Sequence, residues 1–146
     1  MSGKTIVIGA SVALKWWLRD EEHIAEASEL QMEFLCGNLN LIAPTLFDYE
    51  VVNTLKSVVV RKRIDESYAL SAISDLIAYD IERHDIHSLQ LSAFQMACRY
   101  QRSTYDASYL ALAQTLGLDF YTGDKRMFNA VSGVFTWVKW IGDYRS

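Results

Sequence analysis

Short β-branched runs alternate with helical patterns along this chain, and that alternation is what most restricts its fold. Thr5-Ile6-Val7-Ile8 leads through Gly9-Ala10-Ser11 into an apolar helical pattern carrying Val12, Leu14, Trp16, Trp17 and Leu18. LNLIAP at residues 39–44 reads as a second buried strand ended by its proline, and IERHDI at 81–86 as a weak third. DFYT at 119–122 and GVFTWVKWI at 133–141 read as two more. Helical patterns fill the intervals: residues 22–36 stopped by Gly37, Leu46 to about Lys62 capped by Thr45, and Asp65 through Ile77. Residues 87–101 follow as an amphipathic helix, then 105–117 ending at glycine, and a short helix in DKRMFNAV. Parallel neighbours need a crossover and a helix supplies it, so this order predicts an α/β fold on a mainly parallel sheet.

In such sheets ligands bind outside the carboxyl ends of the strands, where the strand order reverses. Gly9, Ser11, Glu50 and Asp124 come under first suspicion on that ground. At 146 residues and 51% hydrophobic, the chain can bury a core as one domain, residues 1–146, without staples. Its early apolar run is broken by Lys15 and is charged from Arg19 onward, unlike a signal sequence or a membrane span, which predicts a cytoplasmic protein without membrane contact. Cys36 and Cys98 have no CxxC context and read as small buried hydrophobes. The net charge of −4 draws no polyanion to the molecule as a whole, so nucleic-acid binding would need local basic patches and metal ions.

Three acidic residues fall just after strands or at helix starts: Glu50 in LFDYEVVN, Asp106 in STYDASYLALA and Asp124 in YTGDKRM. Gathered together, their hard oxygens suit Mg²⁺ or Mn²⁺, the ions a phosphodiester nuclease uses to orient water and neutralise the reacting phosphate. Each also has a plain structural reading. Ser103-Thr104-Tyr105-Asp106 fits a capping box, Asp124 can cap the helix after it, and Glu50 can serve as a favourable early-turn charge. Histidines 23, 84 and 87 lack ligand spacing, Ser11 lacks a G-x-S-x-G context, and no glycine loop cradles phosphate. The four tryptophans fall at core-like spacings, favouring packing or a dimer face over base stacking. Arg61-Lys62-Arg63 reads first as a solvated helix end and second as a phosphate contact. A receiver or phosphatase domain would need an aspartate nucleophile at a strand end, and none is well placed.

Order and spacing taken together resemble the PIN-domain family, in the branch of VapC-like toxins. YDASYLALAQTLG followed by a short strand and YTGDKRM is similar to that family's C-terminal half, and LIAPTLFDYEVVNTL carries its E-x-x-N pattern at Glu50 and Asn53. The resemblance implies a three-layer, Rossmann-like sheet with an acidic pocket at the strand ends and Mg²⁺- or Mn²⁺-dependent cleavage of RNA. It further implies a homodimer and a small antitoxin protein as partner. Carried onto this chain, Glu50, Asp106 and Asp124 match the second, third and fourth acidic positions, as catalytic residues and metal ligands. Ser11, Asn53 and Thr122 match supporting polar positions. The departure is Gly9: the family places an aspartate directly after the first strand, and here VIGAS stands where VIDAS would be expected. A pocket built for four carboxylates keeps three, which predicts strongly reduced activity. The alternative is a catalytically silent module for dimerisation and for antitoxin or nucleic-acid binding.

Overall fold

The structure, a computed structural model, describes residues 3–145. Five strands, β1 (Lys4–Ile8), β2 (Leu39–Pro44), β3 (Glu82–His84), β4 (Phe120–Thr122) and β5 (Val138–Trp140), form one sheet in the order β3-β2-β1-β4-β5. Every pairing is parallel, so the sheet is wholly rather than mainly parallel. Val7 faces Ile42 on one side and Phe120 on the other, and Ile6, Val7 and Ile8 are all buried. That double coverage explains why TIVI is apolar without alternation.

The helices are α1 (Ala10–Ala13), α2 (Ile24–Leu35), α3 (Leu46–Val60), α4 (Glu66–Ala78), α5 (Gln90–Tyr100), α6 (Thr104–Leu116) and α7 (Lys125–Val131). From β1 the chain steps outward through β2 to β3, then returns past β1 to β4 and β5. Right-handed crossovers in opposite directions lay their helices on opposite faces, giving three layers. The reversal falls between β1 and β4, and their carboxyl ends are therefore the switch point of the sheet.

Local chemistry sets the element ends. Gly37 and Gly117 take positive φ after α2 and α6, a conformation glycine adopts without steric cost. Ser103 caps α6 by accepting from the Asp106 amide at 3.0 Å, and Asp65 caps α4 by accepting from the Tyr68 amide. Ser103→Ala is expected to cost about 1 kcal/mol, read as a lower urea midpoint at unchanged slope. Helix α6 is the buried one: every residue from Ala107 to Ala113 is covered, because DASYLALA carries small and apolar groups on all sides.

Several boundaries depart from the sequence reading. The first helical pattern breaks after Ala13 into a 3-10 turn, Leu14–Trp16. Thr45 stands at the N-cap of α3 without a side-chain cap, its amide donating instead to the His84 carbonyl. The fifth strand is only Val138–Trp140, since the Val134 and Phe135 amides turn back onto the Val131 carbonyl. Cys36 and Cys98 are exposed rather than buried. Cys36 is the C-cap of α2, and Cys98 lies just past the Ala97 that α5 buries. Among the described residues, no helix is long and apolar enough to cross a membrane.

Candidate functional site

A small pocket of about 80 Å³ opens at the switch point, lined by Gly9, Ala10, Ser11, Glu50, Asp106, Tyr109, Phe120, Thr122, Asp124 and Met127. Each side chain arrives from its own element. Gly9 and Ser11 follow β1, Thr122 ends β4, Asp124 begins the turn into α7, Glu50 projects from α3 and Asp106 from α6. Larger cavities exist elsewhere, but only here do the three predicted carboxylates meet.

Hydrogen bonds fix the β1–β4 side of the pocket. The Gly9 amide donates to the Tyr121 carbonyl at 3.0 Å, carrying the strand pairing one residue beyond β1. Ser11 Oγ accepts from the Gly123 amide at 2.8 Å and shares a hydrogen with Thr122 Oγ1 at 3.3 Å. Thr122 Oγ1 accepts from the Asp124 amide at 3.1 Å, and Asp124 Oδ1 accepts from the Arg126 and Met127 amides. Asp124 is thus both a helix cap and a pocket wall, so the plain reading and the functional one coexist. Ser103 makes the same combination possible at Asp106 by taking its amide and leaving the carboxylate free to face the pocket.

The opposite wall holds a residue that sequence reasoning missed. Tyr109 is 4% exposed and donates its phenol hydrogen to Glu50 Oε1 at 2.6 Å. Its ring stacks on Phe120 with centroids 5.3 Å apart. The available signal was its place three residues after Asp106, on the same face of α6. Asn53 behaves differently from the expectation: it is exposed on α3 and does not line the pocket.

Glu50 and Asp106 hold their protons more tightly than usual. Burial raises Glu50 most, the Tyr109 hydrogen bond opposes that, and the nearby Asp106 charge adds to it. Burial also raises Asp106 most, followed by the charge of Asp124, while Arg102 at 3.8 Å works the other way. Desolvation likewise pushes the Tyr109 phenol up, with Glu50 beside it. Tyr109→Phe is expected to move the Glu50 titration to higher pH, because the bond that favours its anion is gone. Carbon NMR of the Glu50 carboxyl reads this directly, and an unmoved midpoint would remove the bond from the account.

The donor set, three carboxylates with two hydroxyls, is hard oxygen and suits Mg²⁺ or Mn²⁺. Among the described residues, however, no three His, Cys, Asp or Glu side chains are arranged to hold a metal ion as they stand. Gly9 lines the pocket and supplies no side-chain oxygen. A Cβ placed there would lie 3.2 Å from both Phe120 Cε1 and the Tyr121 carbonyl. Phe120 therefore crowds the place where a first-strand aspartate would stand.

The chain is similar to known proteins in sequence and in fold. Mycobacterium tuberculosis Ribonuclease VapC1 is 36% identical over 85 residues, 58% of this chain, and the match spans just under two thirds of that relative, 63%. Ribonuclease VapC12 of the same organism is 29% identical over 122 residues, 84% of this chain and 88% of the relative. Two solved structures share the fold: PAE2754 from Pyrobaculum aerophilum, with TM-score 0.66 and 19% identity over 92% of this chain and 91% of the other, and Mycobacterium tuberculosis VapC20, described as a Sarcin-Ricin loop cleaving toxin, with TM-score 0.66 and 15% identity over 91% and 98%. The model of the PIN domain matches residues 6–134, from β1 to just short of β5, and the chain belongs to the PIN-domain family.

Proposed function

We propose that this chain is a metal-dependent endoribonuclease, the toxin of a toxin–antitoxin pair, impaired by the absence of a carboxylate at Gly9. The observation that carries the reading is the meeting of Glu50, Asp106 and Asp124 in one pocket at the sheet's switch point. Its relatives, Ribonuclease VapC1 and Ribonuclease VapC12, suggest the substrate class.

Glu50, Asp106 and Asp124 would hold the ion, and the ion when bound lowers the pKa of water and offsets charge on the phosphate. This chain's own residues do the rest. Tyr109 holds Glu50 in one rotamer, and the Ser11–Thr122 hydroxyl pair fixes the turn that presents Asp124. Water attacks phosphorus, the bond to the leaving oxygen breaks, and a carboxylate that is readily protonated can take up the water's proton. An antitoxin segment would meet the same carboxylates with an arginine, whose planar fork matches them.

Cleavage of tRNA and structured RNA with Mg²⁺ or Mn²⁺ tests the reading. Slow cutting by the protein as it stands, stopped by EDTA and by Asp106→Asn, is the expected result. Silence from this protein and from its Gly9→Asp variant would transfer the fold to the second reading, a silent module for dimerisation and antitoxin or nucleic-acid binding. Gly9 is the observation that keeps that reading open.

A further inference from the structure

Next to the acid pocket lies a larger groove, about 570 Å³, whose lining includes Lys15, His23, Gly123, Lys125 and Trp140. The two cavities share a wall. Gly123 lines the groove, while its amide donates to Ser11 Oγ in the pocket; Asp124, the next residue, faces the pocket, and Lys125 faces the groove. Gly123 is itself required by this crowding, since a Cβ there would lie 2.9 Å from Lys15 Cε and 3.0 Å from the Ser11 carbonyl.

Both lysines are unusual. Lys15 is 4% exposed, yet among the described residues its ammonium has only Glu21 for a partner, at 3.9 Å and without a hydrogen bond. Asp20, Glu21 and Glu22 also line the groove; Arg63 holds Glu21 more closely, at 3.3 Å, together with Asp20 at 2.7 Å, which leaves Glu22 as the one carboxylate of the lining without an ion pair among the described residues. No buried side-chain nitrogen or oxygen lacks a hydrogen-bond partner among the described residues. The Lys15 ammonium, having none, must reach solvent, and the groove it lines supplies that opening. A lysine that gives up most of its hydration for one distant carboxylate is poised for a second anion. Lys125 has no carboxylate partner among the described residues; its ammonium rests over Trp140 at 4.5 Å and Phe128 at 5.3 Å. The Trp140 ring is half-buried, with His23 edge-on at 5.4 Å. With Asp20 and Glu21 held by Arg63, the groove sets two cations and an aromatic ring against the single unpaired carboxylate of Glu22, one residue from the acid pocket.

We propose that this groove binds the RNA strand beside the cleaved bond, with Lys15 and Lys125 taking the neighbouring phosphate and Trp140 supporting a base. The proposal rests on the nuclease reading for its substrate. A backbone phosphate matches paired ammonium groups, and a stacked base is accepted by an aromatic face whatever its identity. The subsite therefore selects an unpaired strand rather than a particular base.

The test is anisotropy of a labelled single-stranded RNA with the protein in EDTA, where cutting is suppressed, across a salt series. Lys15→Gln and Lys125→Gln should each weaken binding about 3- to 10-fold near ~0.1 M salt and lower the log–log salt slope by about 0.7. Lys125→Arg should restore both, and Trp140→Leu should weaken binding several-fold while Trp140→Phe retains it. Lys4→Gln, at the opposite end of β1, is the control for charge alone. Lysine variants indistinguishable from Lys4→Gln would overturn the subsite. Failure of the nuclease reading looks different: lysine-dependent binding persists although Gly9→Asp cuts nothing. Conversely, a cutting Gly9→Asp enzyme whose KM ignores both lysines overturns the subsite and spares the nuclease.

Discussion

Gly9→Asp should convert this protein into a vigorous metal-dependent nuclease, with cleavage rising about 100-fold or more over the parent. The figure follows from what a carboxylate at a metal centre is worth: even residues that merely orient ligands typically change affinity or activity by about 10- to 100-fold. The backbone is ready for the change. Gly9 has φ −81 and ψ 150, an extended conformation that any residue adopts, at the N-cap of α1 where aspartate is favoured. Space is the obstacle, because the new Cβ would press on Phe120 Cε1 and the Tyr121 carbonyl at 3.2 Å. Phe120 is stacked on Tyr109, and Tyr109 holds Glu50, so the strain runs toward another carboxylate. Without metal the variant should lose about 1–3 kcal/mol to overpacking, and more to charge repulsion. Added Mg²⁺ should return much of that in a thermal melt, by binding the folded state alone. Phe120→Leu beside Gly9→Asp should relieve the crowding and raise activity again. If RNA stays intact with both variants, including at millimolar Mn²⁺, the missing aspartate is not what silences the chain.

The lesson in legibility runs along the same residues. TIVI and LNLIAP were readable as strands because Ile6–Ile8 and every residue of β2 but Asn40 are apolar and buried, as in strands covered on both faces. The sheet's two edges were harder. β3 is three partly exposed residues, Glu82–His84, with too little apolar pattern to set its length, and β5 is cut short by backbone turns that no side-chain pattern announces. The acid pocket was legible because charged residues after strands are conspicuous. Tyr109 was not, since an aromatic at helical spacing resembles core, and here it is core at the ring and a hydrogen-bond donor to Glu50 at the hydroxyl. Lys15 was read only as an interruption of an apolar run, although burial of its stem is what aims its ammonium at the groove. Arg63 is the opposite case. Its basic run read first as a solvated helix end and only second as a phosphate contact, and Asp20 and Glu21 already occupy it.

Glu50→Gln and Asp106→Asn, made in the Gly9→Asp background, should each abolish cleavage, a loss of about 100-fold or more. In metal-free protein the same changes should make the fold more stable at neutral pH. The two effects have one origin. Folding raises Asp106 and Glu50 above their ordinary values of 3.8 and 4.5, by burial first and by a neighbouring carboxylate as well. A carboxyl that is protonated in both folded and unfolded states costs nothing. Once pH climbs through the raised folded value, the native state must either keep a proton that the unfolded chain has released or bear a desolvated charge, and stability falls. Removing either charge removes that loss. The gain should therefore be present at pH 7 in EDTA and fade as pH drops below the ordinary carboxylate range, where the parent is neutral too. Saturating Mg²⁺ should reverse the ranking by stabilising the four-carboxylate protein above its amide variants. Urea midpoints at neutral and acid pH, with and without Mg²⁺, read all of this. Amide variants that are less stable than their parent in EDTA at pH 7 would mean that these side chains serve the fold, and that the pocket is not held ready for a cation.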